Sequence, residues 1–180
     1  MHKLIIIGGA KGVGKTSLTS TLATECGLIR IESGKLIIEY RAMNPQPPFS
    51  LKDYIANSIA QIRQDSILDA HFAQYSEIEE LTREFQRGLE PEHIIKLSQQ
   101  FDIYPCLVEV PYYELLQRRM KEPKKRSIET EIIIEELEFN RKAYQMYLKE
   151  LNKKPIIITN DDFDQTKSIL LKWIRPILDS

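Results

Sequence analysis

Gly9-Ala-Lys11-Gly12-Val13-Gly14-Lys15-Thr16 is a glycine-rich turn that ends in a lysine and a hydroxyl, directly after the apolar run Leu4 to Ile7. Glycines at these spacings let successive backbone N–H groups converge on phosphate oxygens without Cβ clashes. A helix beginning near Gly14 would point its partial positive end at the same anion. The string fits G-x-x-x-x-G-K-[ST], in which Lys15 bridges the β- and γ-phosphates of ATP and the Thr16 hydroxyl ligates Mg²⁺, Ser17 lying just behind on the helix.

A second piece of such a site is an acid on a neighbouring strand. Ile67-Leu68-Asp69 supplies one, and its carboxylate is expected to hold the metal ion opposite Thr16. His71 is a candidate to orient water or contact the γ-phosphate. From Arg118 to Arg126 six cations fall within nine residues, with Pro123 interrupting the helix, and such a segment reads as a lid at about 119–127. Guanidinium groups closing from a mobile loop compensate the charge that develops on a transferring phosphoryl group. Arg118, Arg126 and Arg141 are the candidates for that role.

These groups need a scaffold that brings them to one edge. Apolar runs at residues 3–7, 28–31, 66–69, 106–110 and 156–159 alternate with segments of helical spacing. The pattern predicts an α/β three-layer P-loop NTPase fold, with a five-stranded parallel sheet, helices on both faces and a small lid. Right-handed crossovers place all strand ends on one rim, where the phosphate loop, Ser33-Gly34 and Asp69-Ala-His71 would meet. Capping boxes at Ser50 to Asp53 and Ser76 to Glu79 predict two helix starts, the second helix turning Ile78, Leu81 and Phe85 inward and ending at Gly88. Asn44-Pro-Gln-Pro-Pro48 breaks the helix that Ser33 opens. Residues 33–65 read as an acceptor-side insert within a single 180-residue domain.

Apolar residues are 42% and charged residues 28%, and the net charge is −1, so bulk charge makes no case for nucleic acid. Cys26 and Cys106 stand far apart without Cys or His at metal-ligand spacing, which predicts neither a disulfide framework nor a zinc site. Met1, His2 and Lys3 lead straight into a strand too short for a signal peptide's apolar region, and no stretch approaches membrane-spanning length. A cytoplasmic protein without a membrane partner is the expectation.

Together these residues resemble the nucleoside monophosphate kinases of the adenylate kinase superfamily, most closely the archaeal-type adenylate kinases and the eukaryotic nuclear adenylate kinase/ATPase. The resemblance rests on the loop Gly9 to Thr16, Ser33-Gly34, the Asp-x-His element Asp69 to His71, Leu107-Val-Glu-Val110 with Leu115-Leu-Gln-Arg118, Arg126 to Thr130 and Asn140-Arg141. It implies ATP and Mg²⁺ as cofactors, acceptor binding at Ser33 and Gly34, and a nucleoside monophosphate as acceptor. Two arginines that hold the monophosphate in adenylate kinases are replaced by Ile38 and Ala73, leaving Arg41 and Arg63 as nearby substitutes.

Three readings therefore stand together. One is an ATP-dependent kinase of a phosphorylated small acceptor. A second is a small-molecule alcohol kinase, with Glu32 taking the hydroxyl proton. The third is an ATPase switch acting on a protein or ribonucleoprotein partner, with His71 positioning water. A regulatory GTPase is disfavoured, because Asp-x-x-Gly fails at Phe72 and Asn160-Asp-Asp-Phe163 lacks the guanine-reading residues.

Overall fold

The computed structural model describes residues 1–44, 50–78, 82–122 and 127–180. Five parallel strands form the main sheet: β1 (His2–Gly8), β2 (Ile29–Glu32), β3 (Ser66–Asp69), β6 (Phe101–Glu109) and β7 (Ile157–Thr159). Their order is β2-β3-β1-β6-β7, so β1, which feeds the phosphate loop, is the middle strand. Between β3 and β6 the chain adds an antiparallel hairpin, β4 (Ala73–Ile78) with β5 (Thr82–Arg87).

Strand alternation divides the interior into two cores. Leu4, Ile6, Leu68, Ile103 and Leu107 face one side, covered by α3 (Leu51–Ala60), α4 (Pro91–Ser98) and α6 (Thr130–Leu151). Ile5, Ile7, Ile67, Cys106 and Val108 face the other, covered by α1 (Lys15–Cys26), α5 (Tyr112–Lys121) and α7 (Phe163–Leu178). Leu4 to Ile7 are at most 1% exposed, and each such side chain contributes about 1.5–3 kcal/mol of burial. That is why the run carries no polar residue. Both thiols are free, with Cys106 buried and Cys26 partly buried. Among the described residues no helix is long and apolar enough to cross a membrane.

Several boundaries follow directly from local chemistry. The Ser50 side chain accepts the Asp53 N–H and starts α3, while Asp162 caps α7 through the Gln165 N–H. Pro91 occupies the first turn of α4, where its missing N–H costs nothing. α2 (Ser33–Ala42) begins at Ser33 as expected, yet it contributes no buried residue.

The helix expected from Ser76 is absent, and a correction is needed there. Residues 73–78 pair in antiparallel register with residues 82–87, Ala73 opposite Arg87 and Gln74 opposite Gln86. A capping box describes only the local chain, whereas here a strand partner lies a few residues downstream and the hairpin base is bonded to α6. Asn140, 1% exposed, donates from Nδ2 to the Ala73 carbonyl at 2.9 Å and accepts the Ala73 N–H at 3.2 Å. The Gly88 N–H closes the base on the Phe72 carbonyl at 2.9 Å. Residues 79–81, including Leu81 and the Glu79 end of that box, lie outside the described residues, as do the prolines at 45, 47 and 48.

Candidate active site

The phosphate loop occupies the C-terminal end of β1, and two glycines in it have no substitute. Gly9 adopts φ 149° with its Cα against the Val108 carbonyl oxygen, where a Cβ would collide. Gly14 adopts φ 95°, caps α1, and would place a Cβ 2.5 Å from Asn160 Nδ2.

The loop's carbonyls are drawn back into the protein. Arg119 donates from Nε at 3.1 Å and Nη2 at 2.8 Å to the Lys11 carbonyl. Glu136 accepts the Lys11 N–H at 2.8 Å. The two holders are themselves a buried ion pair at 2.7 Å, with side chains 2% and 4% exposed. Asn160 donates from Nδ2 to the Val13 carbonyl at 2.7 Å, and Arg118 adds Nη1 at 3.3 Å. In a trans peptide the C=O and the next N–H point in opposite directions. Holding back the Lys11 and Val13 carbonyls therefore turns the Gly12 and Gly14 N–H groups toward the groove that both residues line.

That groove encloses about 690 Å³. Along it lie Lys11, Gly12, Gly14, Lys15, Thr16 and Ser17 from the loop and α1, Ser33 and Gly34 from the start of α2, and Asp69 and His71 after β3. Lys15 is 4% exposed and donates from Nζ to the Ala10 carbonyl at 2.8 Å, folded along its own loop. Thr16 donates its hydroxyl to Asp69 Oδ2 at 2.7 Å. One hydroxyl and one carboxylate at the mouth of an anion cradle are the donor set Mg²⁺ accepts when phosphates and water complete its shell. His71 Nδ1 lies 2.9 Å from the Gly9 carbonyl; a carbonyl only accepts, so Nδ1 carries the proton.

Glu32 enters the same groove from the end of β2, in register with Asp69 on β3. Lys35 Nζ is 2.5 Å from Glu32 Oε1, and Arg30 Nη1 is 3.3 Å from the same oxygen. The Lys35 hydrogen bond holds the Glu32 carboxyl below the usual carboxylate range, the Arg30 charge assisting and burial opposing. Arg30 also reaches the Thr16 carbonyl at 3.3 Å and lies 3.7 Å from Asp69 Oδ2. It ties the two acids to α1.

The remaining candidates fall elsewhere. Arg118 is held by Glu114 and by the Asn160 carbonyl at 2.5 Å, behind the loop. Arg141 makes a two-pronged pair with Glu109 at 2.6 and 2.8 Å, with its side chain 60% exposed. It points to the end of β6, and the expected closure on a phosphoryl group is replaced by this pair. Arg63 donates to the Ala60 and Ile62 carbonyls and to Gln100, just before β3 and β6 begin, so it sits at the opposite edge of the sheet from the loop. Arg41 is exposed in the last turn of α2 and lines no part of the groove. Neither arginine is placed to receive the acceptor there. Arg126 lies outside the described residues, and of the expected lid only 119–122 and 127 are described. Arg119 donates from Nη1 to the Ser127 carbonyl at 3.1 Å, joining the two stems of that segment.

Arg30 and Glu136 were not singled out from the sequence, and the bonds that Arg119, Asn140 and Asn160 make here were not read from it. A signal existed for two of them. Glu136 and Asn140 are polar residues four apart on the buried stripe of α6 that holds Ile132, Ile133, Ala143 and Tyr144.

No protein-family model matches the chain, and no curated protein matches it in sequence. Solved structures do. A shikimate kinase from Bacteroides thetaiotaomicron superposes with a TM-score of 0.63 at 14% identity, covering 99% of both chains. A gluconokinase from Sinorhizobium meliloti gives 0.56 at 13% identity, covering 98% of this chain and 94% of that one. The YorR protein of Bacillus subtilis, solved in complex with phosphorylated GDP, gives 0.58 at 13% identity, covering 96% and 95%. These neighbours do not carry the narrower resemblance to archaeal-type adenylate kinases; at such identities the likeness is one of architecture, and that architecture is the α/β fold of P-loop kinases.

Proposed function

We propose that this protein is a kinase that moves the γ-phosphoryl group of ATP to a hydroxyl of a small acceptor. Glu32 carries the reading: an ionised carboxylate in the phosphate-loop groove, opposite Asp69 and beside the start of α2. The acceptor oxygen forms its bond to the γ-phosphorus as the bond to the bridging β–γ oxygen breaks and ADP leaves. The hydroxyl proton passes to Glu32 and then to solvent. Lys15 and the Gly12 and Gly14 N–H groups bind the phosphates and stabilise the charge on the transferring group. Mg²⁺ bound through Thr16 and Asp69 would supply further charge compensation.

A nucleoside monophosphate, the acceptor implied by the adenylate kinase resemblance, would need cations where Ile38 and Ala73 stand. Ile38 presents an exposed aliphatic chain to the groove, and Ala73 is buried with its backbone bonded to Asn140. An uncharged hydroxyl is the better match. The shikimate kinase and gluconokinase neighbours are named for hydroxylated acceptors, in keeping with this chemistry.

ADP release from ATP and Mg²⁺, measured with and without a panel of hydroxylated compounds and nucleoside monophosphates, tests the reading. A hydroxylated acceptor should stimulate turnover. Glu32→Gln should lower kcat about 10²- to 10⁴-fold while calorimetric ATP affinity holds. Turnover indifferent to every acceptor would instead identify an ATPase.

A further inference from the structure

Beside the phosphate-loop groove, and sharing Ser33 and His71 with it, lies an apolar slot between α2, α3 and the base of the hairpin. Its walls are aliphatic, with Ile37 on α2, Leu51 and Ile55 on α3, and Leu89 beyond the hairpin. Gln74 and Gln86 are set into this wall. They face each other across the hairpin in direct register, so both carboxamides leave the same face of the ribbon. Each is half-buried, and neither makes a hydrogen bond to another described residue.

Their amide atoms are not among the buried side-chain atoms left without a partner, so water reaches them in the open slot and the edge of a ligand would take its place. The slot's cations are already engaged. Lys52 and Arg87 both pair with Glu90, Arg87 at 3.1 Å. Although burial opposes the charge, their hydrogen bonds hold the Glu90 carboxyl below its ordinary range, so this acid keeps both partners at neutral pH. A carboxylate or phosphate on the acceptor would have to compete with Glu90 for them.

We propose that the acceptor is a nucleoside: an uncharged, flat heterocycle whose edge is read by Gln74 and Gln86, with its sugar hydroxyl delivered past Ser33 and His71 to Glu32. This assignment rests on the hydroxyl-kinase reading above and names its substrate class. A carboxamide offers one acceptor and a pair of donors in a plane, and a nucleobase edge presents the complementary alternation. Aliphatic walls suit the faces of such a ring. The slot holds about 50 Å³ as it stands, against the roughly 300 Å³ at which small-ligand pockets begin, so it opens on binding. α2 is the wall that gives, because it contributes no fully buried residue and only Leu36 and Ile37 pack, partly buried, against the core.

The test uses the full chain with ATP and Mg²⁺, and sets adenosine, guanosine, cytidine, uridine and thymidine against shikimate, gluconate and simple polyols. A nucleoside should stimulate ADP release and bind in the absence of ATP by ligand-observed NMR. Gln74→Leu and Gln86→Leu should each raise the KM for that nucleoside at least about tenfold, more than they lower kcat, without lowering Tm, since leucine extends the apolar wall. Stimulation by hydroxy acids or polyols but by no nucleoside overturns this assignment and leaves the kinase reading standing. Nucleoside turnover unaffected by either leucine also overturns it. Turnover that responds to none of the compounds removes the kinase reading and this assignment together.

Discussion

The two halves of the groove are built on opposite terms. On the side proposed for the nucleotide, Lys11 and Val13 are gripped by buried side chains, so the loop is held in one shape without any ligand. On the side proposed for the acceptor, a helix without a fully buried residue and two carboxamides that bond to no other described residue form the wall of a narrow slot. The contrast teaches where each kind of energy is applied. A triphosphate is one unvarying ligand, and a rigid cradle avoids reorganisation at the moment of transfer. An acceptor bound as proposed would be recognised by its particular edge, and polar groups set into an apolar wall would give the site its discrimination.

Changes on the rigid side should be the more damaging. Lys15→Ala removes the cation that travels with the phosphates, and turnover should fall at least about 10²- to 10³-fold while the circular dichroism spectrum stays native. Retained turnover would show that the cradle is not where transfer happens. Arg119→Met strands Glu136 in the interior, which costs about 3–5 kcal/mol and lowers Tm by about 10 °C in a chain of this size. Pairing it with Glu136→Leu should restore part of the loss, since removing both charges is cheaper than stranding one. If Arg119→Met melts with the wild type, the loop is not held from behind and the contrast fails. At the other extreme, Ile38→Arg lies on the open side at a residue 68% exposed, and stability should stay within about 0.5 kcal/mol by urea titration. A large loss there would mean that α2 is a fixed wall.

Much of the scaffold was legible because its causes are local. β3 occupies Ser66–Asp69 as its short apolar run predicts, and α1 ends at Gly27 in the left-handed conformation expected of a glycine cap. The hairpin, expected as a helix from Ser76, shows the limit. Ser76-Glu-Ile-Glu79 carries helix-start chemistry, but a capping box contributes only about 1 kcal/mol, and strand pairing together with the Asn140 clasp on Ala73 outweighs it.

Fold class and the glycine-rich loop could be read from the chain alone, since each depends on local patterns, and Asp69 and His71 were placed near Thr16 because right-handed crossovers bring all strand ends to one rim. What holds the loop could not. Arg119 reaches Lys11 across 108 residues, Glu136 across 125, and Asn160 reaches Val13 across 147. Spacing in a sequence carries no information about which distant polar side chain will meet which carbonyl. The same limit led the sequence reading to choose Arg118 over Arg119, whereas α5 turns Arg119 toward the buried acid beside the loop and Arg118 toward the Asn160 carbonyl.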